Sequence, residues 1–432
     1  MPSASARDRL EQALDRIVDP KGEGARACLT VYADMARAAA DAADARAKAG
    51  QSLGPLDGAI VSIKDLFDVA GEVTRAGSRV VAEEGKPAKA DAPVVTRLRS
   101  AGAVIAAKTN MSEFAFSGVG ANPHYGTPGN PFDRARVPGG STSGGGVAVA
   151  DGMCEIAIGS DTGGSTRIPA ALCGIVGWKP SRQRVPTEGA FPLSFTLDSI
   201  GPMAKSVAQC AAADAVMAGE KPLALQPASL SGLKLGIVQG MLFENIDDTV
   251  AKAWEGAVAA LGKAGAKLSD ETIALIPDMI ACNSKGGFAP TEAFSIHRDR
   301  LKRRAGDIDQ NIRARIERGG TVMAADYIDM VQERLRLIRA MDARMGGLDA
   351  LIVPTVPIVA PRLDEVATLE SFGQKNMLLL RNTSMMNFFD LCAISLPLPR
   401  GQGLSAGLMV VARNGQDDHL FRIAAAVERL FA

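Results

Sequence analysis

The sequence predicts an α/β fold: a single domain with a mixed central β-sheet surrounded by helices. Three observations predict it. Short β-branched runs recur along the chain, helix-period segments lie between them, and no composition shift or linker divides the 432 residues. In order, the candidate strands are 58–63 (GAIVSI), 103–107 (AVIAA), 155–159 (EIAIG), 234–238 (KLGIV), 350–354 (ALIVP), 393–397 (AISLP) and 406–411 (AGLMVV). Helical periodicity marks 92–101, 206–218, 247–264, 323–345 and 417–430, and the N-terminal MPSASARDRLEQALDRI opens a further amphipathic helix. Residues 219–231 (GEKPLALQPASLS) form a connection within the domain, since strand-like sequence resumes directly after them.

Composition restricts the function. Lys plus Arg and Asp plus Glu both number 48, so no field of one sign is available to attract nucleic acid or an anionic membrane. The basic run Arg298–Arg304 (RDRLKRR) reads as the solvated face of a helix. The six cysteines are scattered, without a CxxC pair, and sit among aliphatic residues, which points to neither a disulfide framework nor a zinc site. No apolar signal core opens the chain and no window has membrane-span length, so the expectation is a cytoplasmic protein. The three histidines, His124, His297 and His419, form no HExxH or HxH pattern, which argues against a metallohydrolase. A hydrolase with so few histidines points to another base.

Residues 108–181 depart from the rest of the chain. They are dense in Gly, Ser, Thr, Asn and Pro between apolar flanks, as functional irregular segments are. Two Gly-Ser elements stand out: Gly139-Gly140-Ser141-Thr142-Ser143-Gly144-Gly145-Gly146, and Asp161-Thr162-Gly163-Gly164-Ser165. Neither carries the lysine of a P-loop nor the GxGxxG of a dinucleotide fold. Each loop alone is as well explained by a structural turn.

Taken together, GGSTSGGG and GSDTGGSTRIPAALCGIVGWKPS resemble the amidase signature family over about 40 residues of near-continuous match. The resemblance extends to GAIVSIKD ending at Asp65, to KTNM at 108–111, to ALIVPTVPIVAP and to FFDLCAISLPLP, and so covers most of the chain. It implies one amidase domain over 1–432, with a catalytic core at about 58–200 and a variable substrate-pocket region at about 280–390. It also implies Ser165 as nucleophile, Ser141 as bridging serine and Lys64 as base. Ser141 and Ser165 stand 24 positions apart, the family spacing. The usual GGSSGGS is altered at Thr142 and Ser143, which makes Ser143 a second candidate for the bridge, with spacing favouring Ser141.

The chemistry is coherent without the resemblance. A serine hydroxyl is a poor nucleophile until a base stands within hydrogen-bond reach. Lysine serves only if its pKa, about 10.4 in water, falls toward neutral. Burial beside Ile60, Val61 and Ile63 would do this to Lys64, provided that Asp65 faces away. The resemblance implies an oxyanion hole from Thr162, Gly163, Gly164 and Ser165, and a cis peptide at Gly140–Ser141. Met111, Gly139, Gly140 and Arg167 are its weaker candidates for substrate contact. Arg167 and Asp161 have a structural reading as well, as loop-fixing residues. Lys108 reads as a solvated strand end and Cys173 as core.

Three motifs are decoys. Gly403-Leu-Ser405-Ala-Gly407 matches GxSxG with His419 beyond it, but no strand precedes it and no helix follows. Ser231-Gly-Leu-Lys234 lacks a KTG partner, and His297-Arg-Asp299 lacks the rest of a kinase loop. The expected function is hydrolysis of a small-molecule amide without metal or organic cofactor, in a protein that binds no nucleic acid or membrane and is a candidate homodimer. Within the family the region 290–345 looks like stand-alone amidases, malonamidase and allophanate-hydrolase-like enzymes. The alternative is the glutamine-hydrolysing subunit of a tRNA-dependent amidotransferase, for which the chain is short. An inactive binding relative is disfavoured by intact Lys64, Ser141 and Ser165.

Overall fold

In the computed structural model, which describes residues 4–401 and 403–432, one sheet of eleven strands organises the chain. The strands are β1 (Cys28–Val31), β2 (Ile60–Lys64), β3 (Val104–Thr109), β4 (Ile156–Ser160), β5 (Val176–Lys179), β6 (Ile200–Ala204), β7 (Lys234–Val238), β8 (Lys267–Glu271), β9 (Ala350–Pro354), β10 (Cys392–Pro397) and β11 (Gly407–Ala412). Their order is β1-β3-β2-β4-β6-β5-β10-β11-β9-β7-β8. β2 runs parallel to β3 and β4, and β7 parallel to β8 and β9, while β4, β6, β5, β10, β11 and β9 meet antiparallel, so the sheet is mixed as the sequence predicts. Helices cover both faces. Accordingly the central strands are buried along nearly their whole length and rich in Val, Ile, Leu and Ala, as strands covered on both faces are.

All seven strands expected from the sequence form, each within a few positions of its expected bounds. Four more join them. β8 (KLSDE) is a polar edge strand, lacking the apolar run that marks a strand in sequence. β1 is four residues long, and β5 and β6 lie in or just beyond the motif-rich region. The five expected helices form at Pro93–Ser100, Val207–Ala218, Asp248–Lys263, Ala324–Arg344 and Asp417–Phe431, and the N-terminal one at Ala6–Val18. Long helices at Ala33–Lys48 and Leu369–Phe388 add to them. The latter is set at its start by a capping box in which Thr368 and Ser371 satisfy each other's backbone N–H groups. No described helix is long and apolar enough to cross a membrane.

Two features of this frame place the chemistry. The parallel register of β2 on β4 sets Ile63 beside Ile158, so the end of Lys64's strand lies against the end of Ser160's. The helix Ser143–Ala150 is built from SGGGVAVA and runs against the backbone of Asn110. A Cβ at Gly144 would collide with Ala27 O and the Asn110 backbone, so a residue that costs about 1 kcal/mol in a helix is required here. Close approach of this helix brings Ser141, just before its start, toward Lys64.

Candidate active site

Lys64 ends β2 and is fully buried. Its Nζ donates 2.8 Å bonds to Ser141 Oγ and to Ser160 Oγ, both neutral. Burial pushes its pKa down from 10.5 to about 7, with Asp161 and Asp198 acting from farther off in the opposite direction. Asp65, the next residue, is turned away: it accepts from Arg75 Nε and Nη2 and from Gly77 N. At pH near neutral the Lys64 amine therefore holds a lone pair beside a serine hydroxyl. The Gly140–Ser141 peptide is cis. Ser143, the second candidate for the bridge, starts the helix instead, and its buried Oγ makes no hydrogen bond among the described residues.

Ser165 stands on the turn between β4 and the helix Arg167–Cys173, and Asp161 shapes that turn. The Asp161 carboxylate receives Gly164 N at 2.8 Å, Thr166 N and Oγ1, Arg167 Nε and Nη2, and Asn387 Nδ2. The Arg167 guanidinium and these donors hold its carboxyl well below the usual carboxylate range despite full burial. Gly164 has φ +131°, and a Cβ there would collide with Thr383 Oγ1, so only glycine fits. Among the described residues, the backbone N–H groups of Thr162, Gly163 and Ser165 have no intramolecular acceptor. Free N–H groups converging beside a nucleophile are what a developing oxyanion needs. Gly164 differs, because its N–H points into Asp161 and is not free for that purpose.

Thr162, Gly163 and Ser165 line a cavity of about 290 Å³. Its other walls come from Ala115–Ser117, Leu193 and Leu197, residues 279–290, Arg315 and the helix Leu369–Phe388. On the far side of Thr162 a second cavity of similar volume reaches Ser160 and Asp198. Asp198 is half-buried, accepts Thr162 Oγ1 at 2.6 Å and the N–H groups of Leu193 and Ser194, and has its pKa pushed up to about 6 by desolvation.

The structure brings together Lys64, Ser141, Ser165, Thr162 and Gly163. Among the described residues no hydrogen bond joins Ser141 Oγ to Ser165 Oγ, and such contacts are often loose before substrate arrives. Gly139 and Gly140 sit behind the Ser165 loop, Gly140 N donating to Gly118 O, and are not among the residues that line the cavity. Met111 is core, its carbonyl accepting Asn122 Nδ2, and also lies outside the cavity. Arg167 is not placed for substrate contact: fully buried, it directs its donors to Asp161, Asn387, Thr383 O and Met409 Sδ. Lys108 corrects the solvated reading. β3 is an interior strand, and Lys108 Nζ is buried 3.3 Å from Glu72. Cys173 is core. Ser405 is buried ahead of β11 and His419 faces Asp349 at 3.7 Å, so no GxSxG elbow forms.

Four contributors are not evident from the motifs. Ser160 has a signal in the sequence, as the last residue of the strand before Asp161. Asp198, Thr383 and Arg315 have none, since they reach the site only through the fold.

The family model for Amidase matches residues 9–421. The 2-amino-5-chloromuconic acid deaminase of Comamonas testosteroni is 34% identical, over 91% of this chain and 86% of that protein. A glutamyl-tRNA(Gln) amidotransferase subunit from Synechococcus sp. (strain RCC307) is 33% identical, over 99% of this chain and 94% of that one. A crystal structure of an amidase superposes with a TM-score of 0.87 at 32% identity, covering 99% of this chain and 97% of that one. The fold, the turn at 161–165 and these matches agree: the chain belongs to the amidase family, hydrolases that act on amide C–N bonds.

Proposed function

We propose that this protein hydrolyses a small amide through an acyl-enzyme on Ser165. The neutral amine of Lys64 takes the proton of Ser141 as Ser141 takes that of Ser165, and Ser165 Oγ attacks the substrate carbonyl carbon. The oxyanion so formed is met by the N–H groups of Thr162, Gly163 and Ser165. When the tetrahedral species collapses, the C–N bond breaks and the leaving nitrogen receives the proton from Lys64 by way of Ser141. Water then attacks the ester along the reverse proton path, releasing the acid and restoring Ser165. No step needs a metal or organic cofactor. The cavity draws on residues 279–290, 315 and 380–388, which supports a pocket region at about 280–390 beside a core at about 58–200.

One observation carries the proposal: a fully buried lysine whose Nζ, among the described residues, bonds only neutral hydroxyls, one of them Ser141, next to the cavity that holds Ser165. The test is release of ammonia or amine from a panel of small amides, carbamoyl compounds and glutamine, with Ser165→Ala alongside. Wild-type release that disappears in the variant is the expected result; equal release from both would remove Ser165 from the mechanism.

A second reading is the glutamine-hydrolysing component of a tRNA-dependent amidotransferase, favoured by the relative that matches 99% of the chain. Release from glutamine alone, greatly increased by the other components of such a complex, would select it. The relatives' names differ in substrate, so kinship fixes the bond class and leaves the acid and the amine open.

A further inference from the structure

The Ser165 turn is gripped by a side chain far from it in sequence, and the role of that side chain rests on the amidase reading above. Gly163 and Gly164 share one peptide plane, and the plane is bonded at both edges. Gly164 N donates to Asp161 Oδ1 at 2.8 Å, and Gly163 O accepts from Thr383 Oγ1 at 2.6 Å. A peptide unit is rigid and planar, so two bonds on opposite edges fix its orientation. The N–H groups on either side of it, Gly163 N and Ser165 N, have no acceptor among the described residues. Two consecutive glycines would otherwise leave this plane free to rotate, and Gly164 already stands at φ +131°. Turning the plane over would set the Gly163 carbonyl against the Asp161 carboxylate, acceptor against acceptor, and would redirect the N–H groups beside it.

Thr383 is fully buried on the helix Leu369–Phe388, 220 positions from the glycine it holds. Its hydroxyl has one other acceptor within reach, Leu380 O at 3.3 Å, and the shorter bond goes to Gly163. Its backbone is tied down as well, since Thr383 O accepts Arg167 Nη1. One helical turn on, Asn387 Nδ2 donates to Asp161 O and Oδ1, so a single face of the helix holds both ends of the turn. The same helix supplies Leu380, Ser384 and Phe388 to the cavity wall. Packing alone would be served by valine, which matches threonine in shape; only the donated bond needs the oxygen. We propose that Thr383 is a positioning residue for the oxyanion hole. Its hydroxyl locks the 163–164 peptide, and the lock keeps Gly163 N and Ser165 N aimed at the carbonyl oxygen of the bound amide. Thr383 is not among the residues that line the cavity, and it acts through the peptide. Donors fixed in advance need no reorganisation as charge develops on that oxygen. The effect therefore belongs to the transition state and to kcat.

The test compares whole-chain variants that differ in the hydroxyl. In Thr383→Val, kcat for the amide cleaved fastest in the panel above should fall about 10- to 100-fold, short of the roughly 10²–10³ that loss of a direct donor costs. KM should stay nearly constant, and the acid limb near pH 7, set by Lys64, should not move. Thr383→Ser should recover most of the rate and Thr383→Ala should not. Those two decide the matter if urea melts show that Thr383→Val does not fold. A second readout is labelling by an alkyl fluorophosphonate. Ser165 Oγ bonds to phosphorus, fluoride leaves, the serine proton passes to Lys64, and the phosphoryl oxygen takes the place of the oxyanion. The labelling rate should follow kcat across the variants. Equal rates in Thr383→Ser and Thr383→Ala, or a loss confined to KM, would overturn the proposal. Wild-type rates in Thr383→Val beside an inert Ser165→Ala would remove the clamp and leave the amidase reading standing. Hydrolysis and labelling that are absent from the wild type, or that persist in Ser165→Ala, would remove the reading and the clamp with it.

Discussion

Lys64 and Arg167 are both fully buried basic side chains beside the Ser165 turn, and the protein treats them in opposite ways. Arg167 is saturated: its donors meet a carboxylate, an amide oxygen, a carbonyl and a sulfur, and its counter-ion Asp161 is itself filled by donors. Nothing in that group can change protonation without losing several bonds at once. Among the described residues Lys64 meets two hydroxyls and no carboxylate, and its charge is therefore the form that burial penalises. One cation holds a turn in place and the other is left ready to exchange a proton. The difference lies in the partners rather than in depth, since both side chains are out of solvent. Arg315 is a third case, a half-buried cation whose Nε has no partner among the described residues.

The largest contrast should come from deleting each cation. Lys64→Met should cut kcat by about 10⁴ or more, as removal of a serine hydrolase's base does. It should leave the fold intact or more stable, because it removes a desolvated amine of similar length. Activity assays with urea melts check this, and a variant that unfolds would place Lys64 with Arg167 as a structural cation. Arg167→Leu should do the reverse. It strands Asp161 as an unpaired buried charge, and breaking such a pair costs about 3–5 kcal/mol, readable as a lower urea midpoint.

A subtler contrast is in pH. Catalysis needs neutral Lys64, so kcat/KM should rise with pH through about 7 and then level off. The sign for stability follows from the same lowering. Between about 7 and 10.5 the folded chain binds fewer protons at Lys64 than the unfolded chain, so this contribution grows as pH rises across that window and is absent below it. The smallest effect expected is from Asp198→Asn. The Asp198 charge raises the pKa of Lys64, so its removal should move the acid limb to lower pH. A limb that stays in place would remove Asp198 from the electrostatics of Lys64 and leave it the hydrogen bonds to Thr162, Leu193 and Ser194.

The same contrast explains what the sequence discloses. Ser141, Ser165 and Asp161 lie in two dense Gly-Ser stretches, and Lys64 follows an apolar strand, so all four are visible in one dimension. The inward side of the helix around Arg315 is not. Its sequence, QNIRARIERG, places basic residues at 313, 315 and 318, and periodicity alone does not say which of them turns inward beneath Phe116. Thr383 and Asn387 close the nucleophile turn from a helix more than 200 positions away, through contacts that no local pattern encodes. Local pattern misleads where burial departs from the ordinary: β8 is polar because it lies at an edge, and Lys108 is buried because its strand does not.

The pairing of Ile63 with Ile158 has a consequence for how the chain tolerates changes in length. The segments between β2 and β4 can lengthen or shorten as loops without moving the amine relative to Ser160. One residue added within 60–64 would turn Lys64 to the opposite face of the sheet, because side chains alternate along a strand. One residue added within 156–160 would do the same to Ser160. A library of single-codon insertions should therefore show narrow intolerant windows at these strands, as at β3 and the helix Ser143–Ala150 that lie between them in sequence, with permissive ground in the exposed loops.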